Sequence, residues 1–205
     1  GRGLVAVGER GGGRGAADGV GPPTPSGGPV TGGALPFALT VDSHCIVPQQ
    51  VGNNDAIAAA RQTVASLTAQ DPESGEILPW LAESWEVNDD ASSYTFHLRD
   101  DATYADGTPI DAESVKTNFD AIVALGAMAS LGSQYLVGYE GTTVTDPQTL
   151  TVDFAEPSAQ FLQATSTFSL GLLAPSSADL SVEDRCAGKF VAVRYQQLQL
   201  YYHLY

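Results

Sequence analysis

Residues 93–99, SYTFHLR, constrain the fold more than any other stretch, because Tyr94, Phe96 and Leu98 alternate with Thr95, His97 and Arg99. A period of two puts the first set on one face and the second on the other, the pattern of a strand buried on one side only. Such a strand needs a partner to cover its apolar face. The following residues supply one: DDATYADGTP is turn-rich, and Asp106-Gly107 suits a tight turn in which glycine takes a positive φ. Asp111 then opens a helix through DAESVKTNFDAIVAL, with Ser114 in its first turns and Val115, Phe119, Ile122 and Val123 as its apolar stripe. The expected unit is strand, turn, helix.

The flanks extend it. In YLVGYEGTTVTDPQTLTVDFAEP, Leu150, Val152 and Phe154 alternate with Thr151 and Asp153, which predicts two strands joined at Asp146-Pro147. Residues 158–165 read as a short helix, and FSLGLLAP as an apolar run that Pro175 terminates. Upstream, ALPFALTV reads as a strand ending at Asp42, followed by the loop SHCIVPQQVGNND. Asp55 then caps a helix through AIAAARQTVASL, whose Ile57, Ala60, Val64 and Leu67 recur at helical spacing. DPESGE forms a turn between that helix and ILPWLAESWEV. The fold class is therefore α/β in the broad sense, a mixed α+β arrangement.

Residues 1–33 are dominated by glycine with proline and serine, a composition that cannot bury enough apolar surface to offset backbone entropy, and they read as a flexible tether. Nine basic residues stand against twenty-four acidic ones, a formal charge of -15. A surface that acidic repels phosphate backbones and anionic headgroups, which argues against nucleic acid and membrane-surface partners. No window offers the ~18 consecutive apolar residues of a membrane span. The chain opens on Gly1 without a basic n-region and apolar h-region, so any export signal is expected to have been removed or to lie outside this sequence. Two cysteines, Cys45 and Cys186, fit either a disulfide or two buried thiols.

The motifs of catalysis are missing. No Gly-Lys-Ser/Thr loop, HExxH, CxxC, calcium-loop spacing or GxSxG elbow occurs, and His44, His97 and His203 are scattered. No catalytic residue, metal site or cofactor is expected. Asp89-Asp90 and Asp100-Asp101 lie in turns flanking a strand, where aspartate bonds to nearby backbone amides. His97, on the polar face, is expected to meet solvent or a neighbour, and Trp80 and Trp85 to pack against a core.

Residues 78–115, LPWLAESWEVNDDASSYTFHLRDDATYADGTPIDAESV, resemble the signature region of the peptide, dipeptide and nickel solute-binding proteins of ABC importers, solute-binding family 5. Leu-Ala-Glu-Ser-Trp, the alternating strand ending in Leu-Arg, the aromatic followed by Asp-Gly-Thr-Pro, and the Asp-Ala-Glu-Ser-Val helix start fall in the family's order. GGALPFALTVDSHCIVPQQ is similar to its first strand and loop, although Val47 precedes Pro48 where many members carry aspartate. TVTDPQTLTVDFAEPSAQFL is similar to its later hairpin and helix. After CAGKFV, members continue with Gly-Thr-Gly-Pro, whereas AVRYQQLQLYYHLY follows here, as a frameshifted or misassembled end would produce.

The resemblance implies two lobes joined by a hinge, of which this chain holds the N-terminal part of lobe I without the second lobe. It divides into a tether (1–33), partial lobe I (34–190) and an atypical tail (191–205). The implied role is a non-enzymatic receptor outside the cytoplasmic membrane, membrane-tethered in the parent protein. It captures oligopeptides or related solutes as a monomer and passes them to an ABC permease and ATPase. A nickel- or sugar-specific importer receptor, or a sensor or chaperone using the same lobe, are the alternatives. Ligand-facing residues implied are His44, Asn53, Asn54 and Asp55, on the loop after the first strand. In an exported protein Cys45 and Cys186 pair near the hinge-side edge, two buried thiols being the other reading. With half the contacts present, the chain alone is expected to bind peptide weakly or not at all.

Overall fold

The computed structural model describes residues 45, 47–50, 56–57, 60–177 and 180–186, all within the compact unit that spans Ala38–Tyr205. The expected tether, the strand at ALPFALTV and the tail at 191–205 lie outside the described residues.

Four antiparallel strands carry the core: β3 (Ala82–Val87), β4 (Ser93–Leu98), β5 (Tyr139–Asp146) and β6 (Thr149–Phe154), in the order β3-β4-β6-β5. Directly opposed residues share a face. Register therefore aligns Trp85, Phe96, Leu150 and Val144 in one inward row, and Val87, Tyr94, Val152 and Thr142 in the next. The outward rows are hydroxyl-rich: Thr95 meets the Thr151 hydroxyl at 2.9 Å, and Ser93 donates to Asp153 at 2.7 Å. The β5–β6 turn falls at Asp146-Pro147 as the pattern requires, and Tyr94, Phe96 and Leu98 are all buried.

Helix α1 (Ala112–Leu125) covers the inward face. Asp111 caps it: its carboxylate accepts from Ser114 N at 2.8 Å, and its own N–H donates back to Ser114 Oγ at 3.2 Å. Val115, Phe119 and Ile122 are buried, but Val123 is 44% exposed, so the stripe is narrower than expected. At 100° per residue Val123 lies too far round the helix to reach the sheet, and Asn118 takes the inner position instead. Ahead of α1, Gly107 has φ 88° in the predicted tight turn. After it come a 3-10 turn (Gly126–Ala129), α2 (Ser130–Tyr135) and α3 (Phe161–Ala164). The helix expected over 158–165 is confined to those last four residues because Ser158 serves the sheet: its N–H donates to Ala91 O, and its carbonyl accepts from the Tyr94 hydroxyl.

The segment 55–67 departs most from expectation. Ala56, Ile57 and Ala60 are helical, but residues 61–63 turn and 64–67 run extended into β1 (Thr68–Gln70). DPESGE thus joins β1 to β2 (Ile77–Pro79) as a hairpin, instead of joining a helix to a strand. Two forces end the helix. Thr63 Oγ1 bonds back to Ala60 O at 2.8 Å, and β-branched Thr63 and Val64 favour extended backbone. The returning chain then claims the exposed groups: Leu172 N donates to Ala65 O at 3.0 Å and Thr68 N to Thr165 O at 3.3 Å.

Ala91, in the β3–β4 turn, has φ 58°, the left-handed region that a Cβ disfavours by about 1–2 kcal/mol. Ala91→Gly relieves this at the cost of a looser unfolded chain, so a net gain of about 0.5 kcal/mol is expected, while β-branched Ala91→Val loses more than about 1 kcal/mol. Urea unfolding of both variants checks the sign.

Candidate functional site

His44, Asn53, Asn54 and Asp55 lie outside the described residues, whereas Cys45 and residues 47–50, which stand between them in the sequence, and Ala56, which follows them, are described. Within the loop, Cys45 is joined to Cys186, 141 positions away. Val47 is buried against Val64 and Leu173, and a 3-10 turn follows at Pro48–Gln50. After the loop, Ala56 and Ala60 are buried, with Ile57 and Phe168 packed on them.

A buried amide clamp fixes the leading end. Gln49, 3% exposed, donates through Nε2 to Asn118 Oδ1 at 2.8 Å and to Gly171 O at 3.0 Å. Asn118, on α1, donates through Nδ2 to Ser114 O and Leu173 O, both at 2.8 Å, and its Oδ1 also accepts from Leu173 N at 2.9 Å. One asparagine thereby ties residues 47–50, the helix and the returning segment 171–173 together. These bonds are buried, where an unmade bond carries its full desolvation cost. Neighbouring Gln50 leaves Oε1 buried with no hydrogen-bond partner among the described residues.

Gly171 is required for the approach. A Cβ there would stand 2.6 Å from Val64 Cγ2 and 2.8 Å from Phe168 O, the second being backbone that cannot rotate away. Gly171→Ala is expected to cost about 1–3 kcal/mol through this overpacking. Thermal unfolding together with hydrogen exchange at Gln49 checks it.

Electrostatics elsewhere are structural. Asp90 is held below its ordinary pKa by the Ser92 hydroxyl and N–H, Asp101 by Arg99, and Asp106 by the Thr108 N–H, so the acidic turns are local hydrogen-bond devices. Lys116 pairs with Asp120, which raises its pKa, and Asp120 also accepts from the Tyr139 hydroxyl at 2.8 Å, linking α1 to β5. Burial pushes the Tyr104 phenol well above its usual value, and its hydroxyl meets Ser114 Oγ at 3.2 Å. His97 faces outward with Nδ1 3.4 Å from Thr149 Oγ1. Trp80 and Trp85 are half-buried against the main core. No group of three or more His, Cys, Asp or Glu suited to a metal occurs among the described residues. No helix among them is long and apolar enough to cross a membrane.

The strand–turn–helix unit and the capped helix fall within a family pattern. Residues 76–197 match the model for bacterial extracellular solute-binding proteins, family 5, middle region. The chain belongs to solute-binding family 5. Among family 5 relatives, it is 34% identical over 107 residues to the probable D,D-dipeptide-binding periplasmic protein of Escherichia coli K12 (48% of this chain, 21% of the relative). It is 45% identical over 49 residues to the nickel-binding periplasmic protein of the same strain (24% and 9%). NikA of Brucella suis, solved with Fe(III)-EDTA, superposes with a TM-score of 0.61 at 27% identity, covering 69% of this chain and 28% of that one. OppA of Haemophilus influenzae, solved with the peptide RPPGFSPFR, gives 0.62 at 25%, with 72% and 32% covered. This chain thus spans about a fifth or less of those curated relatives and about a third or less of the solved chains. The superpositions make it part of a periplasmic-binding-protein fold.

The clamp was not legible in the sequence. Its one signal is spacing: Asn118 lies three residues after Val115 and one before Phe119, an amide on an otherwise apolar stripe. The meaning of that amide depends on Gln49 and Leu173, which no local pattern links to it.

Proposed function

We propose that this chain supplies part of the first lobe of a solute receptor for an ABC importer, working outside the cytoplasmic membrane on oligopeptides or related solutes. The observation that carries the reading is family 5 membership, whose matched relatives include D,D-dipeptide-, murein peptide- and oligopeptide-binding periplasmic proteins. The geometry supports it: in the sequence between His44 and Asn53, Cys45 is held by a disulfide and Gln49 by a buried amide clamp. Fixed supports of this kind present side chains to a ligand with little ordering cost. The role is binding, with the permease and ATPase as separate partners and a membrane tether in the parent protein. Residues 34–190 form the lobe portion, 1–33 the tether and 191–205 the tail.

Closure around a solute draws on contacts from two lobes, so the isolated chain is expected to bind short peptides only in the millimolar range. Amide NMR during titration with tri- to pentapeptides reads this directly. Shifts confined to residues 47–57 and neighbouring 165–173 support the reading. Micromolar binding overturns the partial-site account. Shifts with nickel ions and none with peptide overturn the peptide account.

A further inference from the structure

Every buried residue of the main core lies between Ala65 and Ala174. The chain enters and leaves that core at one place. Leu172 N bonds Ala65 O, Thr68 N bonds Thr165 O, and the Thr68 and Thr165 hydroxyls meet at 2.9 Å. Residues 65–174 therefore enclose a core whose two ends are already tied by hydrogen bonds.

The described residues outside it are thinly packed. One cluster has three buried members, Val47, Val64 and Leu173, with Cys45, Phe168 and Cys186 partly buried on it, and the other has only Ala56 and Ala60 at its centre. Residues 170–174 divide between the two sides: Leu170, Leu172 and Ala174 belong to the main core, and the intervening Leu173 belongs to the small cluster. Among the described residues, 47–50 and 180–186 are held to that core by the Val47–Val64–Leu173 contacts, by the Gln49 clamp and by the disulfide. What joins those segments covalently is the Cys45–Cys186 bond, and both cysteines are only partly buried.

We propose that this disulfide is a redox latch: it holds the thin perimeter at the base of the candidate loop, and its reduction opens that perimeter while the 65–174 core stays folded. In the step itself, a thiolate of a dithiol reductant attacks one cysteine sulfur, the Cys45–Cys186 bond breaks and a mixed disulfide forms. The reductant's second thiolate then displaces the remaining cysteine. The reductant ends as a disulfide, and Cys45 and Cys186, having gained two electrons, take up two protons as thiols. Local opening of this kind lies at the low-stability end of a native structure, well short of global unfolding. The latch stands whether or not the solute is a peptide.

Hydrogen exchange of the full chain, followed by mass spectrometry with and without dithiothreitol, tests it. Exchange at residues 47–50 and 180–186 is expected to rise roughly tenfold or more on reduction, with less than about a twofold change at 93–98, 115–122 and 149–154. The Cys45→Ser/Cys186→Ser double variant is expected to show the reduced pattern without reductant and to be insensitive to it. A comparable rise in both regions overturns the proposal, because the bond then holds the whole fold. No rise in either region overturns it too, because the perimeter then needs no latch. If the double variant does not fold, the reductant series on the oxidised chain decides between these outcomes alone.

Discussion

Phe161→Ala is expected to remove about 3–5 kcal/mol of unfolding free energy, a large share of what holds a domain of this size together. Phe161 is fully buried at the point where the helical layer meets the sheet. Its ring lies edge-on to four others: Phe154 at 4.7 Å, Tyr94 at 5.1 Å, Phe119 at 6.1 Å and Phe96 at 6.3 Å between centroids. Truncation opens a cavity walled by rings from β4, β6 and α1. Those elements are pinned by the sheet ladder and the capped helix, so the cavity does not collapse. Phe161→Leu fills most of the volume and is expected to cost less than about 1.5 kcal/mol. Urea unfolding separates the two: the midpoint falls in both, far more for alanine, and the slope stays the same. An alanine variant within about 0.5 kcal/mol of wild type would mean that the aromatic cluster does not hold the layers together.

Asn118→Leu is expected to cost about 3 kcal/mol and to act well beyond α1. The leucine keeps approximately the volume but removes every bond that Asn118 makes in the clamp. Leu173 N loses its acceptor, Leu173 O and Ser114 O lose their donor, and Gln49 Nε2 keeps only Gly171 O. Pairing it with Gln49→Leu apportions the effect. Buried partners in contact couple, so the double variant is expected to lose at least about 1 kcal/mol less than the two single losses added together. Hydrogen exchange at residues 47–50 rises in each variant if Gln49 is what holds the loop base. Strict additivity in the cycle argues against a shared network.

The elements that were legible in the sequence share one property: their signal is local. Alternation in residues 93–98 and 149–154 set both strands and their buried faces. The reciprocal Asp111–Ser114 bonds and the positive φ of Gly107 follow from residue types at fixed short offsets. Such features depend on backbone geometry within four residues, which tertiary packing here left unchanged. The helix expected over 55–67 is present at Ala56, Ile57 and Ala60 but does not continue over 61–67, because its apolar spacing there fits either a helix or an extended segment with tertiary partners. The pairing of residues 65–68 with 165–172 decided between them across about a hundred positions. Val123 failed for a related reason, since the width of a buried stripe is set by the surface it meets.

The ordered motifs of residues 78–115 carried the resemblance to the family, and the local patterns of residues 93–125 and 139–154 carried the paired strands and the covering helix. Those elements were legible because propensity, turn chemistry and apolar period agreed at each step. The tertiary structure alone decided how the candidate loop is held. Gln49, Asn118, Gly171 and Leu173 are ordinary residues apart, and they acquire a role only where three distant segments meet in an interior that leaves no polar group unpaired without cost. The same holds for Cys45 and Cys186. Two cysteines in a sequence are compatible with a bond or with two thiols, and folding the 65–174 core brings the segments that flank it, and with them the two sulfurs, together.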